Sequence, residues 1–180
     1  FFMEKKVVVI SSSPRVCGNS EIMAKSFAEG ARNAGHKVEV VLLRDICLEF
    51  CKGCLACQKT GKCVIGGDVE KVLEKIVSSD VLVLATPVYF YGMSGQLKTL
   101  LDRTNPLFGG CYSFRDVYII CSSADSDEKA ADGVISGING WLACFEKARL
   151  AGVVRGTGVE GAGEISEDKK NESYQAGKNA

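Results

Sequence analysis

Four closely spaced cysteines are the residues whose spacing most clearly predicts chemistry in this chain. They form a Cys-x2-Cys-x2-Cys-x5-Cys segment, at Cys51, Cys54, Cys57 and Cys63. Three thiolates in such a run wrap around one centre, and a fourth from nearby closes a [4Fe–4S] cluster. The same donors also suit a tetrahedral zinc site, and an empty or oxidised loop is the third interpretation. Gly53, Ala56 and Gly61 permit the tight turns that such a site needs.

A polar loop at positions 11–20 is the second candidate site. It follows an apolar segment and leads into a helical pattern. A helix N-terminus presents unpaired N–H groups and partial positive charge, so it favours a bound phosphate. Hydroxyl groups, an amide and the planar cation of Arg15 add donors, and Gly18 lets the backbone approach an anion. The predicted anion site consists of Ser11, Ser13, Arg15, Gly18, Asn19 and Ser20. The alternative is a polar turn in which Asn19 simply caps the helix.

Two further loops contain residues that suit the flat part of a ligand. Residues 86–94 include three consecutive aromatic residues after an apolar strand, where ring walls and backbone groups would surround a flat ring system. Residues 122–127 are small and polar, and they leave room for a ligand edge. The predicted contacts are Pro87, Val88, Tyr89, Phe90, Ser123 and Ala124. The alternatives are packing of Tyr89 and Tyr91 in the core or at a subunit contact, and a helix cap formed by residues 122–127.

The elements that must position these loops alternate between strand and helix. Apolar, β-branched runs predict five buried strands, at Lys5–Ile10, Lys37–Leu43, Val81–Ala85, Asp116–Cys121 and Leu150–Arg155. Helical spacing predicts helices at Asn19–Gly35, Val69–Val77 (capped by Asp68), Gln96–Arg103, Val134–Phe145 and Lys169–Lys178. This alternation predicts an α/β three-layer sandwich around a five-stranded parallel sheet of order 2-1-3-4-5. Its ligand is expected at the carboxyl ends of the strands, near the switch between strands 1 and 3.

Length, charge and apolar patterning exclude several functional classes. The 180 residues fit one domain, residues 1–180, and the formal net charge of zero argues against a nucleic-acid partner. Residues 7–10 are too short for a signal-peptide core, and no apolar stretch reaches the length of a membrane span. We therefore expect a cytoplasmic protein whose cysteines are not disulfide-bonded. Phe1 and Phe2 precede Met3 and are interpreted as extraneous, and His36 is interpreted as a surface turn residue.

Two of these motifs resemble the NADPH-dependent FMN reductase family. Ser-Ser-Pro-Arg followed by Gly-Asn-Ser, within residues 12–20, is similar to the phosphate loop of that family. Residues 86–98 are similar to its flavin-ring loop and the following helix. The cysteine segment resembles that of the iron–sulfur flavoprotein branch. The resemblance runs from Lys5 to Gly163 and departs from the family pattern at Ser12, where many relatives have glycine.

The resemblance implies a flavodoxin-like fold, bound FMN, and a homodimer or homotetramer with the flavin near a subunit contact. By position, Ser13, Arg15, Asn19 and Ser20 would hold the FMN phosphate, and residues 87–90 would line the ring. The implied function is an FMN-dependent NAD(P)H oxidoreductase that passes electrons to a quinone, a flavin or a metal. The alternatives are an iron–sulfur flavoprotein that carries single electrons from ferredoxin, and a non-enzymatic thiol or metal redox sensor. No catalytic acid or base is assigned, because the cofactor carries this chemistry.

Overall fold

The computed structural model describes residues 3–180, so the interpretation of Phe1 and Phe2 falls outside the described residues. The strands are β1 (Lys6–Ser11), β2 (Lys37–Leu42), β3 (Val81–Tyr89), β4 (Gly92–Met93), β5 (Asp116–Ser122) and β6 (Arg149–Gly156). The α-helices are α1 (Asn19–Asn33), α2 (Ala56–Thr60), α3 (Val69–Ser78), α4 (Gly95–Arg103), α5 (Asp132–Leu142) and α6 (Glu167–Lys178). Over the described range, no helix is both long enough and apolar enough to cross a membrane.

Five parallel strands form the sheet in the order β2-β1-β3-β5-β6, and the short β4 pairs with β3 in antiparallel orientation. The short β4 was not predicted, so the fourth and fifth predicted strands are β5 and β6. With this renumbering, the observed order is the predicted order 2-1-3-4-5. The prediction of a flavodoxin-like α/β fold is confirmed. The chain leaves β1 toward β2 on one side and returns to β3 on the other, so the loops after β1 and β3 diverge and leave a crevice between them.

Alternate residues of the central strands face opposite helix layers. In β1, Val7 and Val9 pack in the layer of α1 and α6, whereas Val8 and Ile10 pack in the layer of α3, α4 and α5. All four side chains are fully buried, and each such burial stabilises the fold by roughly 1.5–3 kcal/mol. The sheet is therefore a firm platform for the loops at its carboxyl edge.

The third strand is longer than predicted. The predicted strand ends at Ala85, but β3 continues to Tyr89, and Pro87 lies in the ladder opposite Ser122 of β5. A two-residue turn at Phe90 and Tyr91 then leads into β4. Both turn residues have positive φ, +48° and +61°. The aromatic residues therefore lie on a hairpin that projects beyond the sheet.

Neither of the two predicted capping side chains bonds to its helix, although Asp68 does occupy the N-cap position of α3. The helix α1 begins at Asn19, and Gly18 occupies the capping position. Asp68 immediately precedes α3, but its carboxylate accepts a hydrogen bond from the Cys47 N–H (3.1 Å) and none from the helix. In both cases a partner distant in sequence takes the side chain that the local pattern assigns to the cap.

Two other local predictions are also wrong. Phe145 is buried as predicted for a core residue, but α5 ends earlier, at Leu142. His36 is buried, with 9% of its surface exposed, and its Nδ1 accepts a hydrogen bond from the Lys5 N–H (3.2 Å). The remaining predicted boundaries agree with the structure to within two residues.

The helix α5 supports the hairpin through two glycines. A Cβ added at Gly133 would lie 2.1 Å from the carbonyl oxygen of Tyr91, and one added at Gly137 would lie 2.9 Å from Cε of Met93. At Gly133 the neighbouring atoms are backbone, so only glycine permits this close approach, whereas at Gly137 the flexible end of Met93 could shift. The position of the aromatic residues thus depends on the packing of α5.

Candidate functional site

A cleft of about 220 Å³ opens at the carboxyl edge of the sheet, between the loops that follow β1, β3, β5 and β6. It is lined by Ser13, Arg15, Gly18, Asn19, Ser20, Pro87, Val88, Tyr89, Ser122, Ala124, Val159 and Glu160. Nine of the twelve predicted cofactor contacts are among these residues. Ser11, Phe90 and Ser123 do not line the cleft. The topology therefore brings the predicted anion loop and the predicted ring loop to one place.

The first loop and the start of α1 form a polar cradle at one end of the cleft. A Cβ added at Gly18 would lie 2.2 Å from Oγ of Ser13, so only glycine keeps this part of the cradle open. The hydroxyl groups of Ser20, which lines the cleft, and of Ser11, which does not, are buried, and within residues 3–180 neither has a hydrogen-bond partner. An unpaired buried hydroxyl costs free energy unless a ligand or water completes it. Together with the free N–H groups of the first turn of α1, these hydroxyls suit a bound anion.

Arg15 and Asn19 connect the cradle to the loop after β6. One guanidinium nitrogen of Arg15 donates to the carbonyl of Glu160 (2.8 Å). The side-chain amide of Asn19 donates to the carbonyl of Gly161 (2.8 Å), and its oxygen accepts from the N–H of Ile165 (3.0 Å). The side chain of Asn19 is therefore occupied within the protein, and its backbone N–H is the group it can offer to a phosphate.

A buried ion pair supports the cradle from behind. Glu21, in the first turn of α1, is fully buried, and its carboxylate accepts hydrogen bonds from both terminal nitrogens of Arg44. Nζ of Lys25 forms a second ion pair with the same carboxylate, 2.6 Å from Oε1 of Glu21. Burial raises the pKa of Glu21, but the hydrogen bonds and charges of Arg44 and Lys25 outweigh it, so the pKa lies below its ordinary value of 4.5. The carboxylate is thus ionised at neutral pH.

The hairpin forms the wall on the other side of the cleft. Its three aromatic residues are solvent-exposed, Tyr89 by 42% of its surface, Tyr91 by 63% and Phe90 completely. The hydroxyl of Tyr91 donates to the carboxylate of Asp125 (3.2 Å), and this bond, with the charge of Asp125, raises the pKa of Tyr91. The prediction that these rings are available to a ligand or a subunit fits this exposure better than packing in the core does.

A chain of buried hydroxyl groups fixes the base of the hairpin to β1. Oγ of Ser94 donates to Oγ of Ser12 (2.8 Å), and Ser12 in turn donates to the carbonyl of Ala85 (3.0 Å). Thr86 accepts from the N–H of Ser94 (3.0 Å). Ser94 also caps α4 by accepting from the N–H of Leu97. The hydroxyl of Ser12 therefore links β1 to the base of the ring loop. Glycine, which has no hydroxyl, could not form this link.

The four cysteines occupy the segment between β2 and α3, away from the cleft residues. Cys51 and Cys54 are exposed, Cys57 is buried on the short helix α2, and Cys63 is half-buried. The inner two sulfurs accept hydrogen bonds, Cys57 from the side-chain amide of Asn105 (3.1 Å) and Cys63 from Nε of Arg103 (3.2 Å). Among residues 3–180, no three His, Cys, Asp or Glu side chains are arranged to hold a metal ion. The predicted metal site at these cysteines stays a prediction.

Comparison with known proteins assigns the chain to a family. Residues 5–138 match the family model described as NADPH-dependent FMN reductase. The chain belongs to this family. The resemblance predicted from the phosphate loop and the ring loop is thereby confirmed.

Two relatives of this reductase-family chain are iron–sulfur flavoproteins. The chain is 41% identical to an iron–sulfur flavoprotein of Methanocaldococcus jannaschii over 102 residues, which cover 57% of this chain and 53% of the relative. It is 30% identical to one of Methanosarcina thermophila over 138 residues, covering 76% and 72% of the two chains. The chain thus spans only about half the length of the first of these relatives.

A solved structure supports the fold assignment. The chain superposes on an NAD(P)H:quinone oxidoreductase from Methanothermobacter marburgensis with a TM-score of 0.76, covering 98% of this chain and 96% of the other. The sequence identity is 21%. At this identity the likeness establishes the shared flavodoxin-like fold of the reductase family.

Three residues that line the cleft were missed by sequence analysis. Ser122 ends β5, directly before the predicted Ser123. Val159 and Glu160 lie in the loop after β6, where three glycines form a Gly-x-Gly-x-x-Gly segment at residues 156–161. Too few residues follow that segment to form a βαβ unit, so the sequence predicts only a glycine-rich loop. Its contribution to the cleft becomes visible through the contacts of Arg15 and Asn19.

Proposed function

We propose that this chain binds FMN in the cleft and acts as an NAD(P)H oxidoreductase that passes electrons to an acceptor such as a quinone, a flavin or a metal. The observation that carries this proposal is the polar cradle, where the buried hydroxyl of Ser20 lines the cleft and has no hydrogen-bond partner within residues 3–180, and where Gly18 leaves no room for a side chain. The cradle and the aromatic hairpin line one cleft, which is the arrangement a phosphate joined to a flat ring requires.

The residues of the cleft have separate tasks in this proposal. The phosphate is held by Arg15, the hydroxyls of Ser13 and Ser20, and the first N–H groups of α1, whereas Ser11 does not line the cleft. The ring is flanked by Pro87, Val88 and Tyr89, with Ala124 at its edge. Phe90 and Ser123 are the sequence neighbours of these contacts and do not line the cleft. Bound FMN supplies hydride acceptance from a nicotinamide and onward electron transfer. The protein contributes position, electrostatics and access, so no side chain is assigned as an acid or base.

The test is to purify the full chain, saturate it with FMN, and follow NADH and NADPH oxidation with a quinone, free flavin or ferric chelate as acceptor. We expect a yellow protein that binds FMN and oxidises at least one nicotinamide in the presence of acceptor. A colourless chain that takes up no added FMN would contradict the proposal. A chain that binds FMN but oxidises neither nicotinamide would favour the electron carrier or the redox sensor.

The cysteine loop supports a second candidate, an iron–sulfur flavoprotein that exchanges single electrons with ferredoxin. Four thiol donors in the spacing of a [4Fe–4S] ligand set fit the chemistry of such a cluster, and two of their sulfurs already accept N–H donors. The four thiols do not converge in this structure, so binding requires Cys51 and Cys54, both on exposed turns, to move toward the inner pair. Cys51, Cys54, Cys57 and Cys63 would hold the cluster, which supplies one-electron transfer.

Substitution of Cys54 by serine separates the two candidates. In protein prepared without oxygen, we expect the wild type to contain iron and acid-labile sulfide, and Cys54→Ser to lose both while keeping its yellow flavin. Cys144→Ser is the matched control, since Cys144 is also exposed but lies outside the segment. Equal iron content in the wild type and Cys54→Ser would contradict the second candidate.

Association and location complete the proposal. The exposed ring of Phe90 beside the cleft supports a homo-oligomer in which a second copy covers the hairpin. A cytoplasmic location, where thiols stay reduced, would keep the four cysteines of the segment available as ligands.

A further inference from the structure

Arg44 joins the helix α1 to the loop that precedes it. It lies on a short 3₁₀ turn, Leu43–Asp45, directly after β2. Both of its terminal nitrogens donate to the buried carboxylate of Glu21, the third residue of α1. One of them, Nη1, also donates to the backbone carbonyl of Arg15 (3.4 Å). One guanidinium thus connects the first turn of α1 with the middle of the loop.

The carbonyl of Arg15 organises the turn of this loop. Besides Arg44, it accepts hydrogen bonds from Oγ of Ser13 (2.9 Å) and from the N–H of Gly18 (3.3 Å). Ser13 lines the cleft, and its hydroxyl has only one proton to donate. Because Arg44 and Gly18 also bind the carbonyl, Ser13 can turn its proton toward a phosphate without leaving that carbonyl unpaired.

The carboxylate of Glu21 holds the guanidinium in place. A fork of two hydrogen bonds to a carboxylate fixes the plane of an arginine side chain. Two exposed charges also contact this pair: Nζ of Lys25 lies 2.6 Å from the Glu21 carboxylate, and the carboxylate of Asp45 lies 3.7 Å from Nε of Arg44. The two positive and two negative charges balance, so the group contributes geometry and no net charge behind α1.

We propose that Arg44 is a positioning residue of the phosphate site. Arg44 is not one of the described residues that line the cleft, so it acts through Arg15. Held by Glu21, it fixes the carbonyl of Arg15, and thereby places the loop against the N–H groups of residues 19–21, which precede the first hydrogen bond of α1. When the loop spends less time in this position, the apparent affinity for phosphate falls by the same factor. The inference rests on the proposed function, since the phosphate is that of FMN.

Three substitutions separate positioning from a simple effect of charge. Arg44→Gln removes a positive charge and weakens anion binding in either case. Arg44→Lys keeps the charge but loses the planar fork. Glu21→Gln removes a negative charge, so by charge alone it would strengthen anion binding, whereas a positioning role predicts weaker binding because Arg44 loses its anchoring carboxylate.

The test uses the full chain stripped of flavin. Binding of FMN is measured by fluorescence titration, and binding of inorganic phosphate by calorimetry, at a temperature at which every variant is folded. Val72→Ala is the matched control, because Val72 is buried in α3 and its truncation lowers stability without touching the loop. Urea unfolding of all variants identifies any effect that comes from lost stability alone.

We expect Arg44→Gln, Arg44→Lys and Glu21→Gln each to weaken FMN and inorganic phosphate roughly 2- to 12-fold, the equivalent of one net hydrogen bond. Val72→Ala should bind both as the wild type does. If Arg44→Gln fails to fold, the other two variants decide the question. Wild-type or tighter binding of FMN by Glu21→Gln or Arg44→Lys would overturn the inference and leave the proposed function intact.

The wild type distinguishes the remaining outcomes. A chain that binds inorganic phosphate but no FMN, with the same dependence on Arg44, would contradict the flavin proposal and retain the positioning role for a phosphate. A chain that binds neither ligand would overturn both.

Discussion

Replacing Glu21 by glutamine is expected to lower the free energy of unfolding by about 3 kcal/mol, the lower end of the range for breaking a buried ion pair. The Glu21 carboxylate is fully buried, whereas the side chain of Arg44 keeps 18% of its surface exposed and can recover some hydration. For a chain of this size the loss corresponds to a fall of roughly 6–12 °C in melting temperature. Thermal and urea unfolding of the two proteins at neutral pH measure the difference.

The matched control is Asp102→Asn. Asp102 pairs with Lys98 at the helical i,i+4 spacing, as Glu21 does with Lys25, but both partners are exposed. We expect Asp102→Asn to change stability by no more than about 0.5 kcal/mol. Equal effects of the two substitutions would show that burial of Glu21 contributes nothing.

The cost of Glu21→Gln should also depend on pH. Because the folded protein lowers the pKa of Glu21 below 4.5, the carboxylate contributes stability that is fully present above 4.5 and is lost as the pH falls through the lower, folded value. The difference between wild type and Glu21→Gln should therefore be constant near neutral pH and shrink below 4.5. A difference that grows as the solution is acidified would contradict the assigned ionisation.

Replacing Arg15 by glutamine is expected to weaken FMN binding roughly 10- to 150-fold, the equivalent of about 1.5–3 kcal/mol for hydrogen bonds to a charged group. Arg15 is exposed on the rim of the cradle and lines the cleft. Its loss therefore removes positive charge without opening a cavity in the core. Fluorescence titration of the apoprotein with FMN measures the change.

Riboflavin provides the sharpest control for this prediction. It has the same ring system but no phosphate, so its affinity should be the same for the wild type and Arg15→Gln. Arg115→Gln is a second control, because Arg115 precedes β5 at the opposite edge of the sheet and its guanidinium donates to backbone carbonyls. If Arg15→Gln weakened both flavins equally, Arg15 would be shaping the loop and not gripping the phosphate.

The sequence predicts the sheet well, because buried parallel strands are continuous apolar runs that no other element of this chain imitates. Val7 to Ile10 and Val81 to Ala85 have this pattern, and both are fully buried central strands. The order of the strands then follows from the arrangement that is common in five-stranded doubly wound sheets. The positions of the phosphate and ring loops follow in turn, which is why nine predicted contacts line one cleft.

The details that the sequence misses depend on partners far away in the chain. Asn19 has the local signature of a helix cap, but Gly161 and Ile165 bind its side chain. Pro87 looks like a strand terminator, yet the ladder with β5 continues past it. Arg103 looks like an ordinary basic residue at a helix C-terminus. Its burial against Cys63, Glu49 and Gly66 becomes evident only when the fold brings together residues that lie 37 to 54 positions apart.

The helix α4 connects the two candidate sites, the cleft beside the hairpin and the cysteine segment. Its N-terminal cap, Ser94, belongs to the base of the hairpin, and its last residue, Arg103, contacts the cysteine loop. Nine residues of helix span only about 14 Å. Two unit charges at the two ends of such a helix interact by about 1 kcal/mol at an effective dielectric constant of about 20. The readiness of a flavin to take up an electron would therefore report on the state of the thiols at the far end of the helix.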